Sequence, residues 1–187
     1  MPDGYAPVRS GEVAIWKWLG RAATGAGETG LPDSVRRLAA ELENLPESEA
    51  QYLAAYAYLL GRVAHADLHV SEAERDEMVR LLGDRGGLDE EKARLVAGMA
   101  IEQATLFGAT EDFLVAREFV RIATVEQRKQ VLDCLYAVSA AHGMISAEED
   151  NEIRQIAGEL RLDSLDFLAV RMRYRDRLSL FQKGKTE

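Results

Sequence analysis

One stretch of this sequence occurs twice. Ala64-His65-Ala66-Asp67-Leu68-His69-Val70-Ser71-Glu72-Ala73-Glu74 aligns with Ser139-Ala140-Ala141-His142-Gly143-Met144-Ile145-Ser146-Ala147-Glu148-Glu149 at a single offset of 75 (149 minus 74). The same register pairs Leu60 with Leu135, Val63 with Val138, Ala66 with Ala141 and Glu77 with Glu152, and keeps Val70/Ile145 and Met78/Ile153 apolar. Such a duplication implies two pseudo-symmetric units packed into one core.

The apolar spacing around the repeats is helical. After Pro46, Tyr52, Tyr56, Leu59, Leu60 and Val63 recur on one face. Ser71 caps the next helix, through Met78, Leu81 and Leu82, with Gly83, Gly86 and Gly87 ending it, and Asp89 caps another to about Leu106. Thr110 opens a linking helix with Phe113, Ala116, Phe119 and Val120, and Thr124 with Gln127 forms a capping box for a helix ending near His142. Ser146 caps a helix through Ile153 and Ile156. Asp163, 74 positions after Asp89, caps the last, for which Leu165, Leu168, Ala169 and Met172 are expected to face inward. The predicted fold is all-α, a compact bundle of about seven to nine helices containing two helix-loop-helix units.

The expected organisation has three parts. Residues 1–31 form a short helix (near 11–22) and a Gly-rich linker; residues 32–182 form the helical domain, its first helix opened by Asp33 or Ser34 and its repeat units at about 47–107 and 124–180; residues 183–187 fray. Trp16 and Trp18 are two apart and cannot share a helical face, which favours docking of at least one onto the domain over a membrane-surface role.

At 187 residues the chain can bury a core without metal or disulfide. A formal charge of -9 argues against nucleic acid as the main partner and favours cations or basic protein surfaces. The lone Cys134, set in an apolar run, reads as a small core residue in a reducing compartment. With no run of about 20 apolar residues and no signal-peptide layout at the start, a cytoplasmic location is expected.

The repeated loops carry the candidate chemistry. An EF-hand is excluded: with Glu74 and Glu149 at its twelfth position, the first position would be Val63 or Val138 and the third His65 or Ala140, where calcium requires oxygen ligands. Ser71-x-x-Glu74 and Ser146-x-x-Glu149 each spell a capping box, worth on the order of 1 kcal/mol with no ligand needed. Yet all three histidines, His65, His69 and His142, fall at these loops beside Asp67, Glu72, Glu74, Glu148 and Glu149. That mixture of imidazole and carboxylate suits zinc or manganese better than calcium. Capping alone and capping with metal both stand.

No nucleophile elbow, phosphate-binding glycine loop, H-E-x-x-H pair or C-x-x-C motif is present, so no enzyme is expected. The arginine-rich last helix (Arg161, Arg171, Arg173, Arg175, Arg177) offers an interaction surface, centred on Arg171, Arg173 and Arg177, or a solvated face favoured by the helix dipole. A protein partner is expected, and a homodimer is compatible with those arginines meeting the acidic body of another copy.

The loops resemble those of the TerB (tellurite-resistance) family, related to the N-terminal region of DjlA-type co-chaperones. That family's stretch is Ala-Asp-Gly, an aliphatic residue and, after a three-residue gap, a glutamate. Ala66 to Glu74 fits except at Leu68, and Ala141 to Glu149 fits except at His142, within a likeness spanning about Pro46 to Tyr174. The resemblance implies an all-helical fold, no known catalysis, an acidic metal-ion site, and roles in tellurite or other chemical stress, often in complexes near the membrane. It carries over Asp67, Glu74 and Glu149. With His142 in place of the second aspartate, the expected metal ligands are Asp67, Glu74, His142 and Glu149, with His65, His69 and Glu148 as additional ones. The alternative is an interaction or co-chaperone-like module with purely structural loops.

Overall fold

The caps expected at Ser71, Asp89, Thr124, Ser146 and Asp163 carry the matching hydrogen bonds in space, while Thr110 lies outside the described residues. A computed structural model describes residues 41–42, 44–63, 71–106, 112–141 and 143–181. The helices are α1 (Glu47–Val63), α2 (Glu72–Asp84), α3 (Glu90–Leu106), α4 (Asp112–Ile122), α5 (Val125–Ala141), α6 (Ala147–Glu159) and α7 (Ser164–Met172), followed by 3-10 turns at Arg175–Arg177 and Ser179–Phe181. Among the described residues there is no strand, only an isolated parallel bridge between Ile145 and Leu178. The all-α bundle expected from the sequence is the fold found.

The duplication survives in space. Helices α2 and α6 keep the 75-residue offset at both ends, and α3 and α7 open on Asp89 and Asp163, whose carboxylates accept from the amides of Lys92 (3.0 Å) and Asp166 (2.7 Å). Thr124 and Gln127 close the reciprocal box expected at α5. Helix α4 links the units and packs on α1 and α6.

The core lies along α1 and α5. Every residue from Leu53 to Leu60 and from Val131 to Ser139 is buried, so both helices are enclosed on all sides. Around them α3 packs on α1 and α2, while α5 contacts α2, α6, α7 and α1. Cys134 is fully buried, as its apolar setting implied, and burial pushes its thiol up to about 12, far from the thiolate needed for reactivity. Arg62, at the end of α1, reaches α6 in the other unit, holding Glu152 (2.7 Å) and Glu159 (2.6 Å).

The structure overturns one packing expectation. Leu165, Leu168, Ala169 and Met172 face solvent, whereas Val170 and Arg171 are buried with Phe167 and Tyr174 packed against the core. Helix α7 is turned by about half a revolution from the face its hydropathy favours. The expected helix near 11–22, the linker, the start at Asp33 or Ser34 and the tail 183–187 lie outside the described residues.

The turn between α2 and α3 depends on close approach at Gly86. A Cβ there would collide with the Tyr56 hydroxyl and stand 2.6 Å from the Leu82 carbonyl, whereas one at Gly158 in α6 would meet nothing within 4 Å. Gly86→Ala is therefore expected to destabilise by about 1–3 kcal/mol, and Gly158→Ala to stabilise by roughly 0.5–1 kcal/mol, as read by urea denaturation. Equal effects at the two positions would refute the tight approach.

Candidate functional site

The repeated glutamates are both bound into their helix starts. At α2 the Glu74 carboxylate accepts from the Ser71 amide (2.7 Å) and hydroxyl (2.7 Å), while Ser71 Oγ accepts from the Glu74 amide (3.2 Å). At α6 Glu149 accepts from the Ser146 amide (2.8 Å), and Ser146 Oγ accepts from the Glu149 amide (3.1 Å). Both boxes are complete, and each cap serine sits in extended backbone with nearly identical angles. Two sites 75 residues apart thus solve the same problem identically.

The second loop is also tied from outside. Ile145 is fully buried, its amide donating to the Arg177 carbonyl (2.7 Å) and its carbonyl accepting from Ser179 (3.0 Å), so the chain after α7 is laced along the loop. Gly143 has a φ of +131°, a conformation that side chains strain to adopt. Glu148 stands beside the cap, in the first turn of α6.

Of the expected metal ligands, Glu74, Glu148 and Glu149 are described, whereas His65, Asp67, His69 and His142 lie outside the described residues. Among the described residues, no three His, Cys, Asp or Glu side chains form a group able to hold a metal. Of the carboxylates described, Glu74 and Glu149 have cap duties.

The most heavily constrained charges lie one position beyond Glu149. Asp150 is fully buried and takes a two-pronged contact from Arg171 (2.8 and 2.7 Å) and a hydrogen bond from the Tyr136 hydroxyl (2.9 Å). Burial alone would raise the Asp150 carboxyl, but the bonds from Arg171 and Tyr136 and the charges of Arg171 and Arg154 outweigh it and hold it below the usual range. Burial pushes the Tyr136 phenol well up. Tyr136 stacks on Tyr174 at 5.4 Å, and the Tyr174 hydroxyl donates to Asp133.

This network redraws the expected arginine surface. Arg171 is an interior residue, buried against Asp150, and so is corrected from surface to core. Arg173 is exposed but leans back on Asp133 (3.3 Å), and Arg177 is exposed. Sequence reasoning passed over Asp150 and Arg62. A signal for Asp150 existed: it shares a face with Ile153 and Ala157, three and seven positions on, and a carboxylate on an apolar stripe demands a buried partner.

Near the starts of α1, α3 and α5 a cleft of about 360 Å³ is lined by Glu49, Tyr52, Gly87, Gln127 and Gln130, with Lys92 bridging Glu49 (2.8 Å) and Asp89 (2.9 Å) at its side. No helix among the described residues is long and apolar enough to cross a membrane.

An internally duplicated all-helical module with capped loops is the class these features define. The family model described as Tellurite resistance protein TerB matches residues 52–172, from within α1 to the last residue of α7, well over half of the chain. The chain belongs to the TerB family. No curated protein and no solved structure matches it.

Removing one partner of the buried pair strands the other charge. Asp150→Ala or Arg171→Ala should each cost about 3–5 kcal/mol, and Asp150→Leu with Arg171→Met should cost less than either alone. Asp150 and Glu159 both titrate below their ordinary values, Glu159 because bonds from Arg62 and Gln155 overcome its burial. Their stabilisation is therefore full above about pH 4 and lost as pH falls through the depressed folded values. Urea midpoints from pH 7 down to pH 3 should decline more steeply in the wild type than in the apolar double variant.

Proposed function

We propose that this chain serves in tellurite resistance or a related chemical stress response as a non-catalytic module that works through contacts, its paired loops fixing the helix starts that shape its surface. The observation that carries this reading is the closure of both glutamates into capping boxes, a sufficient structural reason for the residues the family resemblance marks. The sequence supplies no nucleophile or acid-base motif for catalysis. A protein partner then follows as the means of action, in the cytoplasm or at the membrane surface.

A second reading rests on a separate observation: every histidine of the chain shares these loops with Asp67 and the two glutamates. A cap bond occupies one oxygen of a carboxylate and leaves the chemistry of the other available to a cation. In that reading Asp67, Glu74, His142 and Glu149 hold a divalent ion, zinc or manganese before calcium, with His65, His69 and Glu148 in reserve.

Thermal melts separate the two. With structural loops alone, zinc, manganese, nickel and calcium leave the melting temperature where chelator puts it, and Glu74→Ala or Glu149→Ala lowers it by the roughly 2–4 °C that about 1 kcal/mol represents at this size. A rise worth a few kcal/mol at saturating metal, absent in those variants, replaces the first reading with the second. In either case, expression in a tellurite-sensitive bacterium should raise survival on tellurite; no gain over the unstable Asp150→Ala variant would refute the stress-response role.

A further inference from the structure

Helix α7 is apolar on both sides. Phe167 and Val170 face the core, yet Leu165 (78 % exposed), Leu168 (45 %) and Met172 (46 %) form an outward stripe at positions i, i+3 and i+7. The other unit provides an internal control. In the register that matches Asp89 to Asp163, Val96 with Val170 and Ala97 with Arg171 are buried in both helices, and Glu91 with Leu165 and Arg94 with Leu168 are exposed in both. At these two positions the backbone faces solvent in both units, and the first fills them with charge, the second with leucine, whereas Met172 matches half-buried Gly98. Single exposed leucines need no explanation, but an apolar stripe where the repeat carries charge marks a covered surface.

We propose that the outward face of α7 is the docking site of the chain's own N-terminal segment around Trp16 and Trp18. In the sequence, Ile15, Trp18, Leu19 and Ala22 follow the i, i+3, i+4, i+7 spacing of one apolar helical stripe, and Lys17 and Arg21 fall outside it. The stretch 23–40 spans up to about 60 Å when extended, against a diameter of about 30 Å for a small domain. The described chain begins at the correct end. Leu42 is buried, the first turn of α1 faces the first turn of α5 across the cleft (Glu49, Gln127), and Lys129 of α5 bonds Asp166 in the first turn of α7 (2.8 Å). Covalent attachment supplies a local concentration on the order of millimolar, enough for a small apolar contact.

The chain's two tryptophans both lie in this segment, so intrinsic fluorescence reports its environment directly. Trp16 lies off the stripe, so full-length protein should show a buried-type component, slowly quenched by acrylamide, from Trp18 beside a more hydrated one from Trp16, in the same proportion at every protein concentration. Leu165→Glu with Leu168→Glu, at positions that bear no packing load, should retain the helical circular dichroism while shifting emission to that of hydrated tryptophan with several-fold faster quenching. As an independent measurement, a nitroxide on Met172→Cys, with fully buried Cys134 left unlabelled, should quench the tryptophans of otherwise native chain. Wholly hydrated emission in the wild type, or emission unmoved by the double substitution together with no nitroxide quenching, overturns the proposal. So does protection that vanishes on dilution, which assigns the face to a second copy, or protection that arises only with phosphatidylserine vesicles, which assigns it to a membrane.

Discussion

The rotation of α7 about its own axis is set by one buried ion pair. Asp150 on α6 offers a fully buried carboxylate, bonded by Tyr136 of α5, and the α7 face carrying Arg171 meets it with a two-pronged contact. Leaving that carboxylate without Arg171 would cost several kcal/mol, and turning α7 over would exchange burial of Phe167 and Val170 for burial of Leu165, Leu168 and Met172, so the apolar terms largely offset each other. The electrostatic requirement is therefore strong enough to override the hydropathy of Leu165, Leu168 and Met172. Aromatic mass works in the same direction, since Tyr174 stacks on Tyr136 and the Arg154 guanidinium lies 5.9 Å from the Phe167 ring. A helix with two apolar faces has two ways to dock, and the ion pair selects one.

The two units share a scaffold but divide its duties. Glu77 and Glu152 occupy the same register position, yet Glu77 closes a local pair with Arg80 on the surface of α2, whereas Glu152 joins Glu159 in holding Arg62 across the joint between units. The local pair is exposed and contributes little. The Arg62 side chain is only 6 % exposed, so removing either side of that clamp has a larger consequence. The asymmetry continues at α3 and α7, where matched buried positions hold Ala97 in one and Arg171 in the other. Duplication supplied the frame, and charged substitutions at a few matched positions made the halves non-interchangeable.

This division also explains what the sequence disclosed. Caps and breakers are local: Ser71 to Glu74, Thr124 to Gln127 and Asp163 to Asp166 each lie within four residues, and all form as their spacing predicts. Helix existence, order and the 75-residue period were legible for the same reason. The face of α7, the burial of Asp150 and the reach of Arg62 depend on partners 14 to 97 positions away, so no local window contains the deciding term. Candidate loop chemistry was legible only as composition, because Glu74 and Glu149 fit capping and ligation patterns with the same side chains.

Those glutamates nonetheless connect loop and surface. The Glu149 carboxylate accepts from the amide of the cap residue Ser146, and the very next residue is Asp150, which bonds Arg171 of α7. The chain beyond α7 returns to the same loop through the bonds of Ile145 with Arg177 and Ser179. Cap, buried pair and returning chain form one closed mechanical circuit around the second loop. Anything that withdraws the Glu149 carboxylate from Ser146, whether a cation or a partner's positive group, acts on the first turn of α6 and hence on the residue that orients α7. Coupling of this kind requires only that such a ligand bind the uncapped and capped arrangements with different affinity. The second loop and the inner face of α7 are thus joined through two adjacent residues of α6, Glu149 and Asp150.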